Sequence, residues 1–136
     1  MPMRGKLILS GVVALLVCLG LGFAWGASGR IALQANLDDA RQQLDLSDAR
    51  ARILDARVSL YNNNFGDASR HLEDVKAPLR RAKDGYQNEG RNDAASSVDA
   101  ALGHVEEAQR LANKLDLSAN TKAAEALDAI KVATGR

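Results

Sequence analysis

A run of 21 residues without a formal charge, from Leu7 to Ala27, constrains this chain more than any other feature. At ~1.5 Å of rise per residue, the run as a helix would extend roughly 31 Å, which matches a hydrocarbon core of ~30 Å. The sequence therefore predicts a transmembrane helix over residues 7–27. Residues 1–6 are expected to form a cytoplasmic N-terminus, and residues 28–136 to form an extracytoplasmic helical bundle.

The charges that flank the run predict its orientation. Arg4 and Lys6 precede it without a neighbouring acid, whereas only Arg30 follows it before the acidic residues begin. Positive residues are retained on the cytoplasmic side, and Phe23 and Trp25 near the far end suit the membrane interface. We expect a single-pass protein of a bacterial inner membrane, with its C-terminal domain in the periplasm.

Two alternatives to a simple anchor stay open at this stage. The small residues Ala24, Gly26 and Ala27 could serve a signal peptidase, although the uncharged run exceeds the usual h-region of roughly 7–15 residues. Cys18 follows an LLV tripeptide that is distantly similar to a lipoprotein box, but a buried membrane thiol is the simpler interpretation. Gly22 and Gly26 form a GxxxG pair and are candidate residues for the packing of a second membrane helix.

The composition of the external part predicts an all-α fold. After residue 30, 15 basic residues stand against 17 acidic ones, and this balance argues against a nucleic-acid-binding surface. A single cysteine excludes an intramolecular disulfide. Alanine, leucine and arginine are abundant, while runs of β-branched and aromatic residues are missing.

The first external helix carries apolar or small residues at alternating spacings of four and three, which is a heptad pattern. We interpret it as a stalk that folds back into an antiparallel bundle, and the alternative is a strong isolated coiled coil. Whether it continues directly from the membrane helix stays open. The residues of this seam are Leu33, Leu37, Ala40, Leu44, Ser47, Ala51, Leu54, Val58 and Tyr61.

Turn residues divide the rest of the chain into three further helices. Residues 62–66 predict the first reversal, with Asp67 as the cap of the next helix, and Pro78 should kink or divide that helix. Leu117 and Ser118 resemble a hydrophobic staple and an N-cap. The expected core positions are Ala68, Leu72, Val75, Leu79, Ala82, Tyr86, Ala94, Val98, Ala101, Leu102, Val105, Ala108, Leu111, Ala112, Leu115, Ala123, Leu127 and Ile130.

The residues around the first turn, Ala56, Phe65, Ala68, Leu72 and Val75, have spacings that resemble a tetratricopeptide repeat. The resemblance covers about 34 residues and implies a single helical hairpin of this type. It also implies a partner-binding surface, because such repeats present their first helix to peptides or proteins. The residues of that surface would be Arg50, Ile53, Arg57, Leu60 and Tyr61. The alternative is that these arginines are solvated and the apolar residues belong to the core.

No arrangement of residues in the sequence specifies a reaction. The two histidines, His71 and His104, would need a third ligand such as Asp74 or Glu107 to hold a metal. We therefore expect a non-enzymatic protein without a cofactor, metal or identified small-molecule substrate. Its expected function is that of a membrane-anchored scaffold or accessory subunit that binds protein partners or itself. The alternative is an extracytoplasmic sensing or ligand-binding bundle.

Overall fold

The computed structural model describes residues 3–135, and these residues form four α-helices with no strand among them. The helices are α1 (Met3–Tyr61), α2 (Phe65–Asn88), α3 (Asn92–Ala112) and α4 (Ala119–Thr134). The prediction of an all-α fold is confirmed. The chain divides into two compact units at a point within α1, one ending at Asp38 and the other beginning at Asp39.

The first unit contains the long uncharged run. This part of α1 is long and apolar enough to cross a membrane, and its most apolar window has no buried residue. Its length and composition suit a membrane span, and they are also those of a signal sequence near an N-terminus.

The second unit is an antiparallel four-helix bundle, formed by residues 39–61 of α1 together with α2, α3 and α4. Polar contacts at the helix edges join each helix to the next and join α4 to α1. Along each pair of neighbouring helices, residue numbers rise on one helix as they fall on the other, so neighbouring helices are antiparallel. These pairs are Asp45 with Arg81, Arg52 with Asp74, Lys83 with Asp99, His104 with Glu125 and Arg57 with Asn120.

Alanines occupy much of the core, so the helices can approach one another closely. All six positions expected on α2 are buried. On α3 the expected positions Val98, Ala101, Leu102, Val105, Ala108 and Ala112 are buried, while Leu111 is partly buried. Ala94 and Leu127 are only partly buried and pack against the core. Leu115 is exposed, because it lies beyond the end of α3 in a left-handed conformation with φ of 59°.

The face of α1 that packs into the bundle differs from the predicted seam. The buried residues are Leu46, Ala49, Ile53, Ala56 and Leu60, which repeat at spacings of three and four just as the predicted seam does. Both stripes satisfy helical periodicity, and packing against α2, α3 and α4 selects the one whose small and large side chains fit the core.

The helix ends differ in detail from the predicted caps. Asn64, rather than Asp67, is the N-cap of α2: its side chain accepts a hydrogen bond from the Asp67 backbone N–H at 3.2 Å. Asp67 lies in the first turn, where a carboxylate complements the helix dipole. The helix α2 is not divided at Pro78, which is buried within it. Ser118 is the N-cap of α4, and both its N–H and its hydroxyl donate to Asp116.

Replacing the buried Ala101 with phenylalanine should destabilise the bundle, because the extra volume has no space in the core. We expect the free energy of unfolding to fall by about 1–3 kcal/mol. The adjacent Ala100 is exposed, so Ala100→Phe should change it by less than about 0.5 kcal/mol. Urea denaturation of the full-length protein in mild-detergent micelles, followed by circular dichroism, measures both. Equal effects of the two variants would contradict the described face of α3.

Gly85 permits a close approach between α2 and α1. A Cβ atom at Gly85 would lie 2.8 Å from Nε2 of Gln42, which is a buried amide that donates to Oε1 of Glu89 at 2.5 Å. We expect Gly85→Ala to lower the free energy of unfolding, because Gln42 must shift and lose this hydrogen bond.

The matched variant is Gly103→Ala in α3, where a Cβ atom meets nothing within 4 Å. This change should stabilise the protein by about 0.5–1 kcal/mol through helix propensity alone. Thermal melts of the two variants beside the parent protein give the comparison. Equal stabilisation at both positions would show that Gln42 moves aside without a penalty.

Candidate partner-binding surface

An exposed apolar stripe follows α1 through the second unit. We name it the α1 ridge and define it by Ala40, Leu44, Ser47, Ala51, Leu54, Val58 and Tyr61, all of which are exposed. Leu44 is 70% exposed and Tyr61 is 78% exposed, although both side chains are largely apolar. The ridge is the larger part of the heptad seam predicted from the sequence.

The ridge and the buried stripe of α1 lie on opposite faces of the helix. In heptad notation the ridge occupies positions a and d, while the buried stripe occupies positions c and f. At about 100° of rotation per residue, the centres of the two stripes are roughly 160° apart. The bundle therefore leaves the ridge uncovered in the unit that begins at Asp39.

One flank of the ridge is cationic and faces α4. Nη2 of Arg50 donates to Oγ1 of Thr134 at 2.9 Å, and Nε of Arg57 donates to Oδ1 of Asn120 at 2.7 Å. These bonds hold both guanidinium groups at the edge of the ridge. Together with Lys131 they surround an apolar groove whose remaining lining residues are Leu54 and Leu127.

The opposite flank carries both signs of charge, with Asp48 and Asp55 beside Arg41 and Arg52. Asp48 accepts hydrogen bonds from Nε of Arg52 at 3.1 Å, and Asp55 is exposed one heptad further on. An apolar stripe with charged side chains along both edges is a surface that an amphipathic helix with complementary charges would bind. We therefore treat the α1 ridge and its flanks as the candidate partner-binding surface.

The five residues predicted as a partner-binding surface do not share one exposed face. Ile53 and Leu60 are 0% and 1% exposed and belong to the core, so they line no surface in this structure. Arg50 and Arg57 are partly exposed on the flank of the ridge, and Tyr61 is at its end. The prediction chose one continuous face of the helix, whereas the packing divides these residues between the core and the ridge.

Leu44, Leu54 and Val58 were not predicted as part of the partner-binding surface, although they supply most of the aliphatic area of the ridge. The available signal was the occurrence of two apolar stripes with the same period on one helix. Such a helix cannot bury both stripes in a bundle that contacts only one of its faces.

A polar hollow lies near the other end of this part of α1, and its charged groups are bound to one another. The Arg91 guanidinium lies 4.5 Å from the ring centroid of Tyr86, with Asp39 and Glu89 each 3.8 Å from Nη1 of Arg91. Burial raises the pKa of the Tyr86 hydroxyl, and the charge of Arg91 partly offsets this rise. The arrangement connects α1, α2 and the start of α3.

His104 lies beside charged residues of α4. Nδ1 of His104 lies 3.1 Å from Oε2 of Glu125, and the same carboxylate oxygen lies 2.7 Å from Nζ of Lys122. Within residues 3–135, no three His, Cys, Asp or Glu side chains gather in a metal-binding arrangement. In the first unit, Gly22 and Gly26 are exposed, and a Cβ atom at either would meet no described atom within 4 Å.

No protein-family model matches this chain, no curated protein matches its sequence, and no solved structure matches its fold. We therefore infer function from the surface chemistry of the chain itself.

Adjacent substitutions on α1 distinguish the two stripes. Ile53→Ala should lower the free energy of unfolding by about 2–5 kcal/mol, because it leaves a cavity in the core. Leu54 is 50% exposed, so Leu54→Ala should cost less than about 1 kcal/mol in dilute protein. Urea denaturation at low protein concentration measures the difference. If Leu54→Ala lowered the free energy of unfolding more than Ile53→Ala, the face of α1 that contains Leu54 would be the one in the core, which would contradict the structure.

Proposed function

We propose that this protein is a membrane-anchored, non-enzymatic scaffold or accessory subunit that binds protein partners through the α1 ridge. The observation that carries the proposal is the continuous apolar ridge that α1 leaves uncovered on a bundle with its own buried core. Apolar stripes of this kind with charged flanks are characteristic of helix–helix recognition.

The membrane part of the proposal rests on the length and composition of the apolar run in the first unit. With Arg4 and Lys6 retained inside, the second unit lies on the outer side of a bacterial inner membrane. Anchoring confines the bundle near membrane-bound partners and raises its effective concentration. The residues between Leu7 and Ala27 then remain as an uncleaved helix, with Gly22 and Gly26 available for packing against a second membrane helix.

The resemblance to a tetratricopeptide repeat forms part of the same proposal. Ala56 of α1 and Ala68 of α2 are both fully buried, which supports a close crossing of the two helices. In this proposal Arg50, Arg57 and Tyr61 contribute to partner binding from the edge and end of the ridge.

Crosslinking in native membranes tests the proposal. The full-length protein, tagged at its C-terminus, is crosslinked in its own membrane and the captured proteins are identified by mass spectrometry. We expect a reproducible set of other membrane-associated proteins. Leu44→Lys combined with Leu54→Lys should abolish their capture, because two charges on the ridge oppose the burial of apolar surface.

A matched control places the same two charges at exposed apolar positions away from the ridge, with Leu115→Lys and Val132→Lys. The control variant should capture the same proteins as the parent. If the parent captures only copies of itself, or if both variants capture the partners equally, binding of other proteins through the ridge is contradicted.

A further inference from the structure

The α1 ridge has the residue pattern of a two-stranded coiled coil. Its residues alternate between position a (Leu44, Ala51, Val58) and position d (Ala40, Ser47, Leu54, Tyr61) without interruption. Two identical helices with such a seven-residue repeat can pack side by side in register. Each layer of the interface then contains the same residue from both chains. Small layers at Ala40, Ser47 and Ala51 let the two backbones approach closely.

The charged flanks match a second copy in parallel orientation. In a parallel coiled coil, the residue at position g of one helix faces the residue at position e of the other, five positions later. Arg50 at g would therefore face Asp55 of the second copy, and the two-fold symmetry makes this pair twice. The neighbouring g positions, Gln43 and Arg57, would face Asp48 and Asn62, so none of these three pairs joins like charges.

Antiparallel pairing is disfavoured by the same residues. An antiparallel coiled coil opposes g with g and e with e. In the register centred near residue 49, Arg50 would face Arg50 of the other copy and Asp48 would face Asp48, and these like-charge contacts offset the two Arg41–Asp55 pairs of the same register. Moving the register by one heptad toward the end of α1 opposes Arg50 with Arg57 and Asp48 with Asp55. Both registers that cover most of the ridge bring like charges together. The parallel alignment forms its Arg50–Asp55 pairs without any like-charge contact.

We propose that the α1 ridge is covered by the ridge of a second copy of this chain, in a parallel and in-register coiled coil. This inference rests on the membrane anchor of the proposed function, and it makes a second copy of the chain, in place of a different protein, the occupant of the ridge. Two copies inserted in the same orientation present their ridges in parallel, and confinement to the membrane raises their effective concentration. The helices α2 and α4 contact α1 beside the ridge, at Asp45 and Arg57, and the ridge residues stay exposed.

Cysteine crosslinking of the full-length chain in membranes tests this pairing. In a Cys18→Ser background, Ala40→Cys and Ala51→Cys each place a thiol on the ridge, and Ala100→Cys places one on an exposed position of α3. Mild oxidation joins two thiols into a disulfide, and the oxidant, such as copper phenanthroline with oxygen, takes up the two electrons while two protons are released. We expect a disulfide-linked dimer from the first two variants and little from the third.

Each other outcome overturns a stated part of the inference. Dimers from Ala51→Cys without dimers from Ala40→Cys would indicate a crossing or antiparallel pair, because in the antiparallel register centred near residue 49 the two Ala40 residues lie roughly 27 Å apart. Equal yields from Ala100→Cys would indicate random collision. Crosslinks from Ala40→Cys and Ala51→Cys to a different protein, and none between copies, would overturn the second copy as occupant and leave the proposed scaffold function standing.

Charge exchange tests the register independently. Arg50→Asp and Asp55→Arg should each lower the Ala51→Cys dimer yield roughly two- to fivefold, because each variant opposes like charges at two symmetric sites. The double variant restores the opposite charges and should recover the yield. Failure of this rescue would overturn the in-register alignment.

Dimers that persist while no other protein is captured would support this inference and contradict the scaffold function.

Discussion

The organisation of this protein depends on the two apolar stripes that lie on opposite faces of α1. One stripe, which includes Leu46, Ile53 and Leu60, packs into the four-helix bundle and is removed from water. The other stripe, the α1 ridge, has the same period and stays exposed. A single bundle contacts one side of a helix, so burying the first stripe leaves the second available for another helix.

Small side chains set the geometry of the bundle. Alanines such as Ala56, Ala68 and Ala101 are fully buried and let the helices lie close together. Close packing leaves little room for polar groups, and the buried amide of Gln42 fits only because Gly85 faces it. Contacts between charged and polar side chains at the helix edges then fix the antiparallel order, while charges on the two flanks of the ridge stay at the surface.

The prediction from sequence was accurate where one apolar stripe served each helix. The six expected core positions of α2 are buried, and the first reversal lies where consecutive asparagines had predicted it. The prediction that Ile53 and Leu60 are surface residues was wrong. The resemblance to a tetratricopeptide repeat indicates which helix would meet a partner, but it does not indicate which face of that helix the other helices of this chain bury. Asn64 rather than Asp67 is the N-cap because the helical backbone begins at Phe65. Residue type alone does not determine at which residue a helix begins.

The sequence by itself determined the helical periods, the turns between helices and the uncharged run that is long enough to cross a bilayer. Only the tertiary structure decided which stripe of α1 enters the core and which becomes the ridge. The physical reason is that periodicity aligns apolar side chains on a face of a helix, whereas burial depends on the shape and volume of the neighbours that meet that face.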